Sequence, residues 1–215
     1  MKRTELYLLR HGTTDANVHG LFLGRTDAPL NAQGLVEAGH LGRRLAGIEF
    51  DALVSSDLSR ARQTAAAIHA HHPALVLHID PRVREMDLGD LDGRPSTEVA
   101  RDEPELLAAW RADPSTVRMP GPSGETLKDV QDRASAALDD LADRFPGGRV
   151  AVVTHTFVLL SLMCRVLELP LSRFRRLFVD RASLSVVDWR RDDAVLRRFN
   201  ETAHLALHPA PPAEG

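Results

Sequence analysis

Two histidines, two arginines and a glutamate stand where apolar runs of this chain give way to polar residues. "LYLLRHGTTDAN" ends its apolar stretch on Arg10 and His11, "SSDLSRARQTA" brings Arg60 just after "FDALV", and "VVTHTF" delivers His155. Glu85 follows a third apolar run, in "DPRVREMDLGDLDG". Such a set suits a dianionic oxyanion, most simply a phosphoryl group. Arginine offers a planar, permanently charged fork that matches phosphate. A neutral imidazole is a competent nucleophile if its second nitrogen is held by an acceptor. A second imidazole, protonated beside the dianion, donates to the phosphoryl oxygens. A carboxylic acid kept protonated near the anion can hand its proton to a leaving alcohol. Phosphoryl transfer demands mostly positioning and charge stabilisation, and this set supplies both without a metal or cofactor.

Taken singly, each piece has a plainer reading. A strand-end histidine is often a turn residue, and His155 could simply start the next helix. Arg60 and Arg62 could form a solvated helix face, and Glu85 could be a surface charge. The joint occurrence at successive strand ends is what favours a site.

The elements that must position them alternate. Strands are expected over Thr4 to Arg10, in "FDALVSS", over Ala74 to Ile79 and in "GGRVAVVTH". Helices are expected from the Asn31 N-cap with a stripe of Leu35, Ala38, Leu41 and Leu45, over "DLSRARQTAAAIHAH", and through "TFVLLSLMCRVLEL". Thr126 and Asp129 have the spacing of a capping box for a long helix reaching Phe145. "ASLSVVDWR" and "AVLRRFN" read as a closing hairpin. The Pro-broken stretch near residues 94–123 reads as a short helical insertion or lid. The pattern implies an α/β fold with a mostly parallel sheet flanked by helices on both faces. Ligands of such folds lie beyond the carboxyl ends of the strands. One domain over residues 1–207 is expected, with a disordered tail at 208–215.

Composition narrows the classes. The chain has 215 residues, 43% hydrophobic and 27% charged, with a net charge of −3; this suits one globular domain and argues against nucleic-acid or membrane surfaces. No apolar run has the length of a signal peptide or a membrane span. The single cysteine, Cys164, cannot form an internal disulfide, which fits a reducing cytoplasm. His69 and His72 lie one turn apart near a helix end and are read as solvent-facing rather than metal ligands. No metal site is expected. His204 in "FNETAHL" is read as structural. The oligomeric state is left open, a homodimer included.

The ordered motifs resemble the histidine phosphatase superfamily, in its phosphoglycerate-mutase-like branch. "LLRHGTTDAN", "FLGRTDAPLNAQG", "SSDLSRARQTA", "RVREMDLGDLDG", "SGETL" and "VVTH" match that family's segments in order, and "FNETAHL" resembles a closing segment of its phosphatase members. The similarity covers residues 5 to about 205. It implies that His11 is a nucleophile that becomes phosphohistidine. It implies that Arg10, Arg60 and His155 hold the phosphoryl oxygens, that Asn17 lines the same pocket, and that Glu85 protonates the leaving group. Arg62 is left as a surface neighbour.

Departures from the family fall on the expected substrate wall. Thr13 stands where the family often has Glu or Gln, Leu23 replaces the hydroxyl residue that mutases place before Gly24, and Thr156 follows the second histidine where glycine is common. The longer mutase insertion with tyrosine, lysine and paired arginines is missing; Arg94, Arg101, Arg111 and Arg118 are scattered singly. These points favour a phosphomonoesterase acting on a small phosphoester over a phosphoglycerate mutase or bisphosphoglycerate-handling enzyme. A non-catalytic phospholigand-binding module would not need His11 together with Glu85. Phe22, Leu23, Met86, Trp110 and Met119 are expected to line a partly apolar leaving-group pocket under the insertion. Asp87 and Asp90 would add negative charge at its mouth. The plainer reading of Trp110 and Leu106, four apart, is that they pack the insertion onto the domain.

Overall fold

Strand β1 (Thr4–Arg10) lies inside the sheet, which is why its sequence is a continuous apolar run. The computed structural model describes residues 2–206, so the expected disordered tail lies outside the described residues. Helix α1 (Asp15–Val18) and helix α2 (Ala32–Leu45) follow, then strand β2 (Ala52–Ser55) and helix α3 (Ser59–His69). Strand β3 (Leu77–Ile79) leads through a short 3-10 turn to Glu85. The insertion holds helices α4 (Ser96–Asp102) and α5 (Pro104–Ala112). Helix α6 (Leu127–Arg144), strand β4 (Arg149–Thr154) and helix α7 (Thr156–Val166) follow. Strands β5 (Leu184–Trp189) and β6 (Val195–Glu201) and helix α8 (Ala203–Ala206) end the described chain.

The sheet runs β3-β2-β4-β1-β5-β6. Strands β3, β2, β4 and β1 are mutually parallel, and β5 and β6 form the antiparallel hairpin. Alternate residues of the central strands feed two cores. Leu6, Leu8, Val150 and Val152 pack with Leu127, Leu138 and Leu159 on one face. Tyr7, Leu9, Ala151 and Val153 pack with Leu41, Leu45, Ala61 and Ile68 on the other. This is the expected α/β architecture, with helices on both faces. Among the described residues, no helix is long and apolar enough to cross a membrane.

Thr126 caps α6 in a capping box with Asp129, and Asn31 caps α2. Two local expectations differ. Leu35 is 52% exposed, because at 3.6 residues per turn it sits about 90° away from Ala38, Leu41 and Leu45, while Gly34 takes the inward place. Strand β3 begins only at Leu77, because the chain before it is tied into a turn. Leu75 N–H donates to His72 O, and the Leu75 carbonyl meets His69 Nε2 at 2.8 Å.

Gly34 lets the loop after β1 lie directly on α2. A Cβ there would stand 2.0 Å from Thr13 O, and one on Gly12 would stand 2.5 Å from Gly34 O. Gly34→Ala should therefore destabilise the protein by about 1–3 kcal/mol in chemical denaturation, because the opposing atoms are backbone and cannot swing away. Gly39→Ala on the same helix meets only the flexible Arg43 Nη1 at 3.7 Å. It should stabilise by about 0.5–1 kcal/mol through helix propensity. Equal effects at the two positions would contradict this packing.

Candidate active site

His11 and His155 meet because β1 and β4 are parallel and in register. Arg10 pairs with Thr154, so the next residue of each strand leaves the sheet side by side. Their rings lie 5.1 Å apart between centroids, with 56° between planes. Both are buried, at 2% and 0% exposure. His11 Nδ1 lies 2.7 Å from Gly12 O, a contact in which the ring N–H donates to the carbonyl. That leaves the lone pair on Nε2. Burial, followed by the charges of Arg60 and Arg10, pushes the His11 pKa well below the usual histidine value. Burial and Arg60 do the same to His155. Both imidazoles are therefore neutral at neutral pH.

The arginines are fixed by backbone carbonyls. Arg10 Nη1 donates to Val179 O at 2.7 Å, while Arg60 donates through Nη1 to Thr26 O and through Nη2 to Gly24 O. Burial pushes the Arg10 pKa down to about 10, so the side chain remains a cation at neutral pH. The loop carrying Gly24 is held from behind, as Asp92 accepts from the N–H groups of Gly24 and Thr26. Asp27 in the same loop caps α3, accepting from both the N–H and the hydroxyl of Ser59. A Cβ on Gly24 would come within 2.8 Å of Met86 O, which explains glycine there.

Glu85 is also buried, at 4% exposure. It accepts from Met86 N–H at 2.9 Å and from Phe157 N–H at 3.1 Å. Burial nevertheless dominates and raises its pKa, against the lowering effect of the Met86 N–H and of Arg60 and Arg10. Its segment is clamped. Arg133 donates to the carbonyls of Arg82, Arg84 and Glu85 and pairs with Glu125, and Glu125 accepts from Asp87 N–H. Thr154 Oγ1 donates to Val83 O at 2.6 Å, joining this segment to the end of β4.

Several buried nitrogens in this cluster have no hydrogen-bond partner: both ring nitrogens of His155, and the Nε atoms of Arg10, Arg60 and Arg181. Unpaired buried polar groups are costly; here the His155 ring stands against His11, and Arg10, Arg60 and Arg181 act on His11 electrostatically. The arrangement can hold a dianion and present a neutral nucleophile to it, with the Glu85 carboxyl, whose pKa burial raises, near the same arginines. Arg181 was not singled out by sequence reasoning. It acts electrostatically on both His11 and Arg10. The signal was there in principle: β5 runs antiparallel to β1, so the residues before β5 lie at the same sheet end as those after β1. Ala182 N–H donates to His11 O at 3.1 Å.

The remaining sequence expectations divide. Asn17 uses its Oδ1 to accept from Thr14 N–H in the cap of α1, which orients its amide. Thr156 opens α7 and lines a shallow depression with Arg10 and Arg181. Thr13 does not reach the substrate wall: it is fully buried, and its N–H and hydroxyl both donate to Glu37. Gly24 acts through its carbonyl on Arg60. Phe22, Trp110 and Met119 line a cavity of about 200 Å³, whereas Leu23 is not part of its lining and Met86 is wholly within the core. Asp87 is neutralised by Arg25 at 2.9 Å. His69 and His72 are half-buried rather than solvent-facing, since each ring meets a main-chain carbonyl. His204 Nε2 lies 2.9 Å from Ala182 O and its carbonyl meets His40, tying the last segment down. Burial pushes the Cys164 thiol up to about 11, which makes it unreactive. Among the described residues, no group of three or more His, Cys, Asp or Glu side chains is placed to hold a metal ion.

The sequence profile of the histidine phosphatase superfamily (branch 1) matches residues 6–202. The chain is 31% identical over 208 residues to the probable phosphoglycerate mutase GpmB of Salmonella choleraesuis (strain SC-B67), covering 94% of each chain. Among solved structures it is similar to Bacillus stearothermophilus YhfR, with a TM-score of 0.87 at 30% identity over 94% of this chain and 99% of that one. It is also similar to a mycobacterial glucosyl-3-phosphoglycerate phosphatase solved with VO3, with a TM-score of 0.83 at 29% identity over 93% of this chain and all of that one (100%).

The depressed histidines set the sign of a pH effect. In the unfolded chain both would titrate near 6.5, while in the folded protein they resist protonation. The unfolded state therefore binds more protons below about 6.5, and stability should fall as pH drops through that range. Denaturation at a series of pH values should show this loss, and His155→Gln should flatten it. An unchanged slope in that variant would mean that His155 does not carry the effect.

Proposed function

The chain belongs to the histidine phosphatase superfamily, and from that premise we propose that it hydrolyses a small phosphomonoester through a phosphohistidine on His11. The observation that carries this reading is the free Nε2 of His11 among buried donors without acceptors, on His155, Arg10, Arg60 and Arg181. A phosphoryl dianion supplies the acceptors that those groups lack. Vanadate, a phosphate-like oxyanion, accompanies the related mycobacterial phosphatase in its solved structure.

In this reading the dianion is gripped by Arg10 and Arg60, with His155 and Arg181 completing the cage. His155 gains a proton beside the anion and donates to it. His11 Nε2 attacks phosphorus in line with the leaving oxygen. The N–P bond forms, the P–O bond to the alcohol breaks, and the Glu85 proton passes to the departing oxygen. Positive charge on the phosphorylated ring is stabilised by Nδ1–H donating to Gly12 O. Water then attacks phosphorus, the Glu85 carboxylate takes its proton, and the N–P electron pair returns to Nε2. Arginine charge does the work a metal would otherwise do, so the reaction is proposed to be metal-independent.

A mutase reading has support of its own in the similarity to GpmB. It differs in the fate of the phosphohistidine, which would be returned to a phosphoglycerate instead of to water. Incubation with 3-phosphoglycerate, with and without 2,3-bisphosphoglycerate, separates the two. Inorganic phosphate release is the expected outcome, and rapid formation of 2-phosphoglycerate would establish the mutase.

His11→Ala should abolish turnover and the acid-labile phosphoenzyme; persistent turnover would mean another nucleophile. Glu85→Gln should lower kcat/KM for alkyl phosphates by about 10²–10⁴, and for p-nitrophenyl phosphate far less, since nitrophenolate leaves without a proton. Equal losses on both would remove Glu85 as the acid. Arg181→Gln should raise KM for phosphomonoesters about tenfold, reflecting one lost charged hydrogen bond. An unchanged KM would place Arg181 outside the phosphate cage. Activity in excess chelator should equal that without it.

A further inference from the structure

The cavity beside Glu85 carries a second set of unmatched groups. Phe157 connects the two places: its N–H donates to the Glu85 carboxylate, and its ring lines the cavity. The walls are largely apolar, with Phe22, Leu88, Met119 and Trp110 among them. Trp110 packs edge-on against Phe157 and Phe174, with centroids 5.7 and 5.2 Å away. It is 4% exposed, and its indole N–H has no hydrogen-bond partner. Arg111 and Arg175 complete the rim. The Arg175 guanidinium lies 5.2 Å from the centroids of both Trp110 and Phe174. Its pKa is lowered by burial and then by the nearby charge of Arg111. No carboxylate among the described residues pairs with either arginine, and both are exposed to solvent at the cavity mouth.

Two exposed arginines at the edge of an apolar chamber, with no carboxylate paired to either among the described residues, suit an anion. We propose that this chamber receives the leaving alcohol of the substrate, and that this alcohol has a flat apolar body ending in a carboxylate or phosphate held by Arg111 and Arg175. The body stacks among Trp110, Phe157 and Phe22. About 200 Å³ accommodates a single substituted ring. This names a substrate class for the phosphatase reading and rests on that reading. It also separates this chain from an enzyme of phosphoglycerate, whose carbons all bear oxygen and offer such walls nothing to bury.

Two aryl esters that differ only in their far end test it: 4-propylphenyl phosphate and its analogue whose side chain ends in a carboxylate. Wild-type kcat/KM should favour the carboxylate ester by about tenfold, the scale of one charged hydrogen bond. In Arg111→Gln/Arg175→Gln that ratio should fall towards one. A ratio near one in wild type, a ratio retained by the double variant, or faster turnover of 3-phosphoglycerate than of either aryl ester would overturn the proposal. A parallel titration needs no catalysis. The two product phenols, with and without the carboxylate, are added to wild type and the double variant while Trp110 fluorescence is followed, with Trp110→Phe identifying its signal. Tighter binding of the carboxylate phenol, lost in the double variant, supports the chamber even if neither ester is hydrolysed, in which case the phosphatase reading alone fails. Equal binding of the two phenols overturns the chamber.

Discussion

Burying cationic and neutral donors together without an acceptor is unfavourable, and the structure is organised around tolerating it. Arg10, Arg60 and Arg181 act on His11, Arg60 and Arg10 act also on His155, and burial with these charges keeps both imidazoles neutral. The carbonyls of Val179, Thr26 and Gly24 offset part of the cost and fix the guanidinium planes, and Glu85 supplies the opposing charge when ionised. Such preorganisation is what electrostatic catalysis requires, since donors already in position need no reorganisation when charge develops.

Carboxylates outside this cage hold it in shape. Asp92 and Asp27 fix the loop whose carbonyls receive Arg60, one by binding its N–H groups and the other by capping α3. Glu125 and Arg133 clamp the segment that carries Glu85. Glu37 takes both donors of Thr13 and so fixes the loop after His11 onto α2. The "GRTDAPL" and "LDG" segments thus position the backbone that receives Arg60, and "SGETL" positions the segment that carries Glu85.

The relatives carry names for different reactions on this common frame, a mutase in one case and a phosphatase in another. The physical reason is a division of labour across the sheet edge. In the proposed reading the phosphate end is built from strand termini, whose positions are set by the register of the sheet. The proposed leaving-group end is built from α5, the start of α7 and the 3-10 segment Leu171–Arg176 that carries Phe174 and Arg175, packed by aromatic contacts. The sequence expectation that Trp110 packs the insertion and the expectation that it lines a pocket are both met by the same ring, buried in the core yet forming a cavity wall.

Much of the fold was legible because each signal was local. The apolar runs of β1 and β4, the capping box at Thr126 and the cap at Asn31 depend on neighbours in the chain, and the arginine and histidines after those runs announced a phosphate chemistry. Facing and distance were not legible, because they depend on what packs against a residue. Gly34 rather than Leu35 turns inward because a loop backbone lies against it, and Thr13 turns towards Glu37, two elements away. Arg181 joins the site only through an antiparallel pairing that no local pattern encodes. Arg111 and Arg175 have no local signal that sets them apart from other charged residues; tertiary packing places them on one rim without a counter-ion. The sequence by itself therefore determined the reactive groups and the elements that carry them, while side-chain direction and the pairing of charges across distant segments were decided only when the chain closed on itself.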